Sequence, residues 1–157
     1  MSKFMSASLC VALLAVSVAA NAEGQVITND LSKCRSGPST LVQINGVKTG
    51  TGKIRVQSYR ATASEWLTKG RWLTRVEVPA RAGAMTVCVP LPEAGHYGIA
   101  VRHDVNGNGK TDLTSDGGGM SNNPSINTFN LGKPSYKKTG FDVGNAPKTI
   151  SITMKYM

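Results

Sequence analysis

Short runs in which apolar and polar residues alternate, separated by glycine, proline and asparagine, recur along most of this chain. A period of two is typical of a strand with one buried and one wet face, because successive side chains point to opposite faces. Six runs stand out, at 40–47, 53–60, 71–79, 84–91, 95–103 and 148–157, and a seventh strand is expected near 128–131 or 138–143. The pattern predicts an all-β fold, a single antiparallel β-sandwich of about seven strands over residues 41–157.

A segment between the second and third runs breaks this pattern. Thr62 and Glu65 have the spacing of a capping box, and Gly70 can end the single helical turn that follows. Trp66 and Trp72 flank the end of this turn. We interpret them as aromatic plugs at the end of the sandwich, in preference to a ligand-binding pair.

The first 22 residues have the pattern of a signal peptide for export. Lys3 precedes an apolar run over 9–20, and the small residues Ala20 and Ala22 fit cleavage after Ala22. The run is too short for a permanent membrane anchor, and the alternative is a buried core helix. We therefore expect a periplasmic or secreted protein with no transmembrane anchor in its mature form, which begins with an N-terminal arm over 23–40.

The cysteines support the same compartment. Cys10 leaves with the signal peptide, so that Cys34 and Cys88 remain. Two cysteines in an oxidising compartment permit one pairing, and the sequence predicts a Cys34–Cys88 disulfide, with two free thiols as the alternative. The bond would hold the arm across an outer face or an edge of a sheet.

The segment 103–115, HDVNGNGKTDLTS, is the most informative about chemistry. Oxygen-bearing side chains alternate with glycine, as they do in loops that wrap calcium. The predicted Ca²⁺ ligands are Asp104, Asn106, Asn108, Lys110 through its carbonyl, Asp112 and Asp116, with His103 and Gly109 supporting the loop. Ser115 stands where strong sites have a bidentate carboxylate, so binding would be weak, at about 10⁻⁴–10⁻³ M. The alternative is a metal-free loop in which Asn and Asp cap their own turns.

Motifs for catalysis are missing from the sequence. His96 and His103 lie seven positions apart in one predicted strand, so their side chains would point to opposite faces and could not act as a pair. We find no nucleophilic serine motif, no zinc-binding helix motif and no phosphate-binding glycine loop. We expect a protein that is not an enzyme, with a hydrolase as the less favoured alternative.

The chain is basic, with a formal net charge of +9. The basic residues form either a patch for anionic lipid headgroups or polysaccharides of the envelope, or ordinary solvated faces. Nucleic acid is not expected as a partner, because these residues are not interleaved with stacking aromatics and the compartment is wrong. The residues concerned are Arg55, Arg60, Arg71, Arg75, Arg81, Arg102, Lys137 and Lys138.

Several stretches resemble the bacterial domain-of-unknown-function family 2141. They are VRHDVNGNGKTDL at 101–113, SNNP at 121–124, LGKPSY at 131–136 and FDV at 141–143. The resemblance covers most of the chain from about Leu41, and implies a small exported β-sandwich of transthyretin-like shape with no established activity. Residues 113–120 lack the glutamate that such proteins typically have before S-N-N, so Asp116 would have to replace it in a metal site.

Together these features predict an exported, non-enzymatic β-sandwich that serves as a binding or structural protein of the envelope. Its loop at 104–116 would hold Ca²⁺ weakly, and its partner would be an envelope component or another protein. The alternative is a module that binds carbohydrate or an anionic envelope polymer through an outer face rich in arginine and tyrosine.

Overall fold

A computed structural model describes residues 24–157, so the predicted signal peptide over 1–22 lies outside the described residues. The described part contains ten strands, one short helix, α1 (Tyr136–Thr139), and two 3₁₀ turns, Leu31–Cys34 and Thr128–Asn130. The strands are β1 (Gln25–Ile27), β2 (Ser39–Val47), β3 (Lys53–Arg60), β4 (Thr74–Pro79), β5 (Gly83–Pro90), β6 (Gly95–Asp104), β7 (Gly117–Met120), β8 (Phe141–Val143), β9 (Pro147–Thr153) and β10 (Lys155–Tyr156). Within residues 24–157, no helix has the length and apolar character needed to cross a membrane.

The strands form two open sheets. The large sheet has the order β1-β4-β3-β6-β7-β10, with β8 also paired to β6, and the small sheet has the order β5-β2-β9. The predicted all-β class is confirmed, but the prediction of purely antiparallel pairing is wrong, because β1 is parallel to β4 and β2 is parallel to β9. Alternation marks a strand without giving its direction, and β2 and β9 come from distant parts of the chain.

The predicted runs correspond to observed strands, with three differences. The last run divides into β9 and β10, and β1 and β7 are additional. Of the two places suggested for a further strand, 128–131 begins as a 3₁₀ turn, and 138–143 contains the end of α1 followed by β8. The helical turn is present as the bond from Trp66 N–H to Thr62 O, and it ends at Leu67, whose φ is +54°, before Gly70 is reached.

One hydrophobic core takes side chains from both sheets. Val42 and Ile44 of the small sheet and Ile99 and Val101 of the large sheet have exposed fractions between 0% and 3%. These positions are the apolar members of the alternating runs, so their polar neighbours along each strand point away from the core. Each fully buried aliphatic side chain of this kind contributes about 1.5–3 kcal/mol.

The N-terminal arm contacts both sheets. Strand β1 adds to the edge of the large sheet beside β4. The Asn29 side chain then bonds to the backbone of the edge strand β5. It donates to Thr86 O at 3.1 Å and accepts from Cys88 N–H at 3.0 Å. The predicted Cys34–Cys88 disulfide is present, with Cα atoms 5.8 Å apart. The arm therefore covers backbone groups at a sheet edge that would otherwise be open to pairing.

Candidate functional site

The loop after β6 curls back onto the carboxylate that begins it. Asp104 is 4% exposed, and its Oδ2 accepts from the backbone N–H of Gly109 at 2.8 Å. Gly107 and Gly109 have φ values of +70° and +77°, a region that glycine adopts without steric cost. Gly109 was predicted to lie at the sharp turn of the loop, and its positive φ shows that the backbone there requires glycine.

Asparagine and aspartate side chains inside the loop bond to one another. Asn106 and Asn108 donate through Nδ2 to Asp112 Oδ2 at 2.8 Å and 2.7 Å. Their amide oxygens accept backbone N–H groups two residues on, from Asn108 and Lys110 respectively. The two amide donors lower the pKa of the Asp112 carboxyl below its ordinary value. These contacts are the Asx turns expected for a loop that caps itself.

Asp116 closes the far end of the loop. Its Oδ1 accepts from Val105 N–H at 3.1 Å, and its Oδ2 accepts from Asp112 N–H at 3.0 Å. Asp116 is 6% exposed, so both oxygens of a buried carboxylate are satisfied by backbone donors. The Asp116 carboxylate thus contacts the backbone of Asp112, and its bond to Val105 connects the two ends of the loop.

Most side-chain oxygens of the loop over 104–116 already accept hydrogen bonds from the protein, so only some of them are free to bind a cation. Across residues 24–157, no three Asp, Glu, His or Cys side chains come together in an arrangement suited to a metal ion. The oxygens of Asn106 and Asn108 face backbone N–H groups, which a bound cation would have to displace. By contrast, Asp104 Oδ1 is shielded from solvent and accepts no hydrogen bond from the described part of the chain.

The two histidines point to opposite faces of β6. His103 is fully buried, with Nε2 donating to Thr51 O at 2.7 Å and Nδ1 2.7 Å from the Tyr156 hydroxyl. His96 is half exposed, and its Nδ1 lies 2.8 Å from Asp142 Oδ1. Both ring nitrogens of His103 are used by groups outside the loop, so His103 fixes the end of β6 to β10 and to the turn after β2.

A row of charged residues crosses the outer face of the large sheet. Residues paired in register are Glu77 of β4, Arg55 of β3, Arg102 of β6, Gly118 of β7 and Lys155 of β10. Arg55 Nε donates to Glu77 at 2.7 Å, whereas Arg102 lies 3.5 Å from Asp104 Oδ2 and donates to Gly109 O and to the Thr111 hydroxyl. A Cβ built on Gly118 would meet no atom within 4 Å. The row therefore contains a notch between Arg102 and Lys155.

An open cleft of about 230 Å³ lies over this notch. Its basic side chains are Arg55, Arg102, Lys133 and Lys155, and its acidic ones are Asp112 and Asp116. Most of the remaining wall is apolar, and three of its members are large apolar side chains exposed at the surface: Leu113 at 50%, Leu131 at 73% and Met157 at 50%. The cleft thus combines a basic floor with an apolar rim.

Aromatic side chains close the other end of the same face. Tyr59, Trp66 and Met120 form a buried cluster against which Trp72 is packed, and the Trp66 indole donates to Pro134 O at 2.7 Å. The ring of Trp66 fills the space over Gly98, where a Cβ would come within 2.5 Å of it. Trp66 is thus a plug on the outer face of the large sheet.

Two arginines of the outer face, Arg102 and Arg75, have pKa values below the ordinary arginine value. Burial lowers the pKa of Arg102, and the charge of Arg55 lowers it further. The same two causes, in the same order, lower the pKa of Arg75. Arg102 Nε is shielded from solvent and finds no hydrogen-bond acceptor within residues 24–157.

Sequence reasoning found only part of this surface. Arg55, Arg75 and Arg102 of the predicted basic set lie together on it, whereas Arg60 pairs with Glu93 at 2.6 Å and Arg81 lines a separate cavity near the β4–β5 turn. Lys133, Lys155 and Gly118 were missed. The spacing of 53–60 and 95–103 could have placed Arg55 and Arg102 on outward positions, but the register that joins them to Lys155 has no signal in the sequence.

Comparison with known proteins agrees with the resemblance noted from the loop residues. A family model described as "Uncharacterized protein conserved in bacteria (DUF2141)" matches residues 42–151, which include all strands from β3 to β8 and most of β2 and β9. No curated protein and no solved structure matches the chain. Because the match covers more than half of the chain, this protein belongs to the DUF2141 family of uncharacterised bacterial proteins.

Proposed function

We propose that this protein is an exported, non-enzymatic β-sandwich of the periplasm or cell surface, and that it binds an anionic component of the envelope. The observation that carries the proposal is the cleft over the row Arg55–Arg102–Gly118–Lys155, which has four basic and two acidic side chains. Two of the basic side chains already have acidic partners, since Arg55 pairs with Glu77 and Arg102 lies 3.5 Å from Asp104. Among residues 24–157, Lys133 and Lys155 take part in no ion pair, so these two lysines are available to an anionic ligand.

Two features support the proposed compartment. The first 22 residues have the pattern of a signal peptide, and the Cys34–Cys88 disulfide suits an oxidising environment. Fractionation of the producing cells, with the mature N-terminus read by mass spectrometry, tests export. A mature protein that begins at Glu23 and appears outside the cytoplasm supports it, and a cytoplasmic protein that retains Met1 contradicts it.

Binding of an anionic component is tested by retention on an anionic polymer. We compare the double variant Lys133→Gln/Lys155→Gln, which removes two charges from the cleft, with Lys137→Gln/Lys138→Gln, which removes two exposed charges from α1. On dextran sulfate, the cleft variant should elute at clearly lower salt than the α1 variant, because the cleft holds the polymer. Equal elution of the two variants would assign retention to net charge alone and contradict the proposed surface.

The loop over 104–116 is a second candidate site, for weakly bound Ca²⁺. Asp104 Oδ1 favours it, as a buried oxygen that accepts no hydrogen bond from the described residues. The ligands would be the carboxylates of Asp104, Asp112 and Asp116, the Lys110 carbonyl, and the oxygens of Asn106 and Asn108. The three carboxylates do not converge in the self-bonded loop, so binding would require them to move together and the amide groups to rotate. Calcium would neutralise these carboxylates and stiffen the loop.

Thermal melts in millimolar Ca²⁺ test this site. One site at a free concentration one hundred times its dissociation constant adds about 2.7 kcal/mol to stability. The wild-type melting temperature should rise with Ca²⁺ and not with matched Na⁺, and Asp104→Asn should abolish the rise. An unchanged wild-type melt, or an equal rise in Asp104→Asn, would instead favour the self-capped loop.

A further inference from the structure

The shape of the cleft restricts the ligand more narrowly than its charge does. Its volume of about 230 Å³ is below the roughly 300–1,000 Å³ of sites that enclose a drug-sized molecule. A headgroup and a short stretch of chain fill such a space. The rest of a larger ligand must leave across the rim.

The floor of the cleft suits one negative charge. Arg102 and Lys155 flank Gly118 in register, and Gly118 places no side chain between them. Among residues 24–157, neither Lys133 nor Lys155 takes part in an ion pair. Asp112 and Asp116 line the same cleft and repel a second charge. The notch thus favours a monoanion over a dianion.

The rim suits a hydrocarbon chain. Leu113, Leu131 and Met157 line the cleft with half or more of each side chain exposed, and Met120 lies deeper, 7% exposed. Phe129 lies two residues before Leu131 and is 98% exposed. Large apolar side chains gathered at one surface mark a binding site for an apolar group, whereas single exposed ones need no explanation. A purely polar polysaccharide would leave this rim uncovered.

We propose that the cleft binds a fatty-acid-like amphiphile, with its carboxylate in the notch at Gly118 between Arg102 and Lys155, and its chain along Met120 and the apolar rim. The proposal rests on the proposed function and names the chemistry of the anionic component. Charge complementarity fixes the headgroup, and the exposed rim fixes the chain.

Calorimetric titration with three probes tests the chemistry. Decanoate below its micelle-forming concentration carries both features, acetate carries the charge alone, and decyl maltoside carries the chain alone. Decanoate should bind saturably at one site, with acetate and decyl maltoside each at least about tenfold weaker. Decyl maltoside binding as tightly as decanoate would overturn the headgroup assignment, and decyl phosphate binding tighter than decanoate would overturn the monocarboxylate.

A matched pair of glycine substitutions tests the location. A Cβ meets no atom within 4 Å at Gly118 or at Gly144, and neither residue has a positive φ, so leucine should be accommodated at both. Gly118→Leu fills the notch and should weaken decanoate binding at least about tenfold, whereas Gly144→Leu should leave it unchanged. Equal affinities in the two variants would contradict the site. If decanoate fails to bind while the cleft lysines still control retention on dextran sulfate, the amphiphile is wrong and the anionic-ligand function stands.

Discussion

Arg55 of β3 and Arg102 of β6 are directly paired in an antiparallel register, which places two arginines opposite each other on the outer face of the large sheet. Like charges directly opposite each other destabilise a sheet. Glu77, at 2.7 Å from Arg55, and Asp104, at 3.5 Å from Arg102, offset part of this cost. If the proposed anion binds on this face, it should offset the remaining repulsion and raise the stability of the sheet.

Two adjacent glycines of β7 should respond oppositely to alanine. A Cβ at Gly119 would lie 2.6 Å from Ile152 Cγ2 in the core, whereas one at Gly118 would point into open space. Gly119→Ala should lower the free energy of unfolding by about 1–3 kcal/mol through overpacking. Gly118→Ala should leave it equal or raise it by up to about 1 kcal/mol, because alanine restricts the unfolded chain. Urea unfolding measures both, and a loss in Gly118→Ala equal to or larger than that in Gly119→Ala would contradict the assignment of Gly119 to the inner face of β7.

The Cys34–Cys88 disulfide should account for a large share of stability. The bond closes a loop with a sequence separation of 54, and the chain-entropy relation for that length gives about 4 kcal/mol. Cys34→Ala/Cys88→Ala should lose about this much in denaturant unfolding. Wild type in reducing agent serves as the control and should fall to the same stability. No change on reduction would show that the arm is held by β1 and Asn29 alone.

The loop over 104–116 should loosen in acid. Amide donors from Asn106 and Asn108 lower the pKa of Asp112 below its ordinary value of 3.8. A lowered pKa in the folded state contributes stability above the unfolded pKa, and that contribution is lost as the pH falls through the folded value. The side-chain amide resonances of Asn106 and Asn108 should therefore hold their positions down to about pH 4 and shift below it. A transition centred well above 3.8 would contradict this assignment of the amide bonds.

The Tyr156 hydroxyl links the end of the chain to β6. It accepts from Lys48 N–H at 2.9 Å and lies 2.7 Å from His103 Nδ1. Tyr156→Phe leaves both groups without this partner and should cost about 1–3 kcal/mol of unfolding free energy. Tyr136→Phe is the matched control, with an expected change within about 0.5 kcal/mol. Equal effects of the two substitutions would show that the hydroxyl of Tyr156 is not structural.

Strand positions could be predicted wherever apolar and polar side chains alternate. Ile99, Val101 and His103 fall on the buried face of β6 as the spacing of two requires. Strand β7, with the sequence Gly-Gly-Gly-Met, could not be found in this way, because three of its four residues carry no side chain to alternate. A side chain at Gly117 or Gly119 would collide with Tyr156 or Ile152 on the inner face, and Gly118 lines the cleft on the outer face.

The curled backbone of the loop could be predicted from the sequence, whereas the set of residues that line the cleft could not. The alternation of Asp104, Asn106, Asn108 and Gly109 is local, and local hydrogen bonds bear out the curled loop. The cleft depends on register, which pairs Arg102 with Gly118 and Gly118 with Lys155 across large sequence distances. Such pairing follows from how the sheets pack together, so no short motif carries it.

The binding surface is tested most directly by the backbone amide resonances of the isotope-labelled protein during titration with decanoate. The largest saturable shifts should fall on Gly118, Met120 and Lys155, with Arg102 and Leu131 next, because these residues line the cleft. Residues around the second cavity, such as Asn29 and Arg81, should not move. Shifts centred on that second cavity, or no saturable shift at all, would contradict an anionic amphiphile held on the outer face of the large sheet.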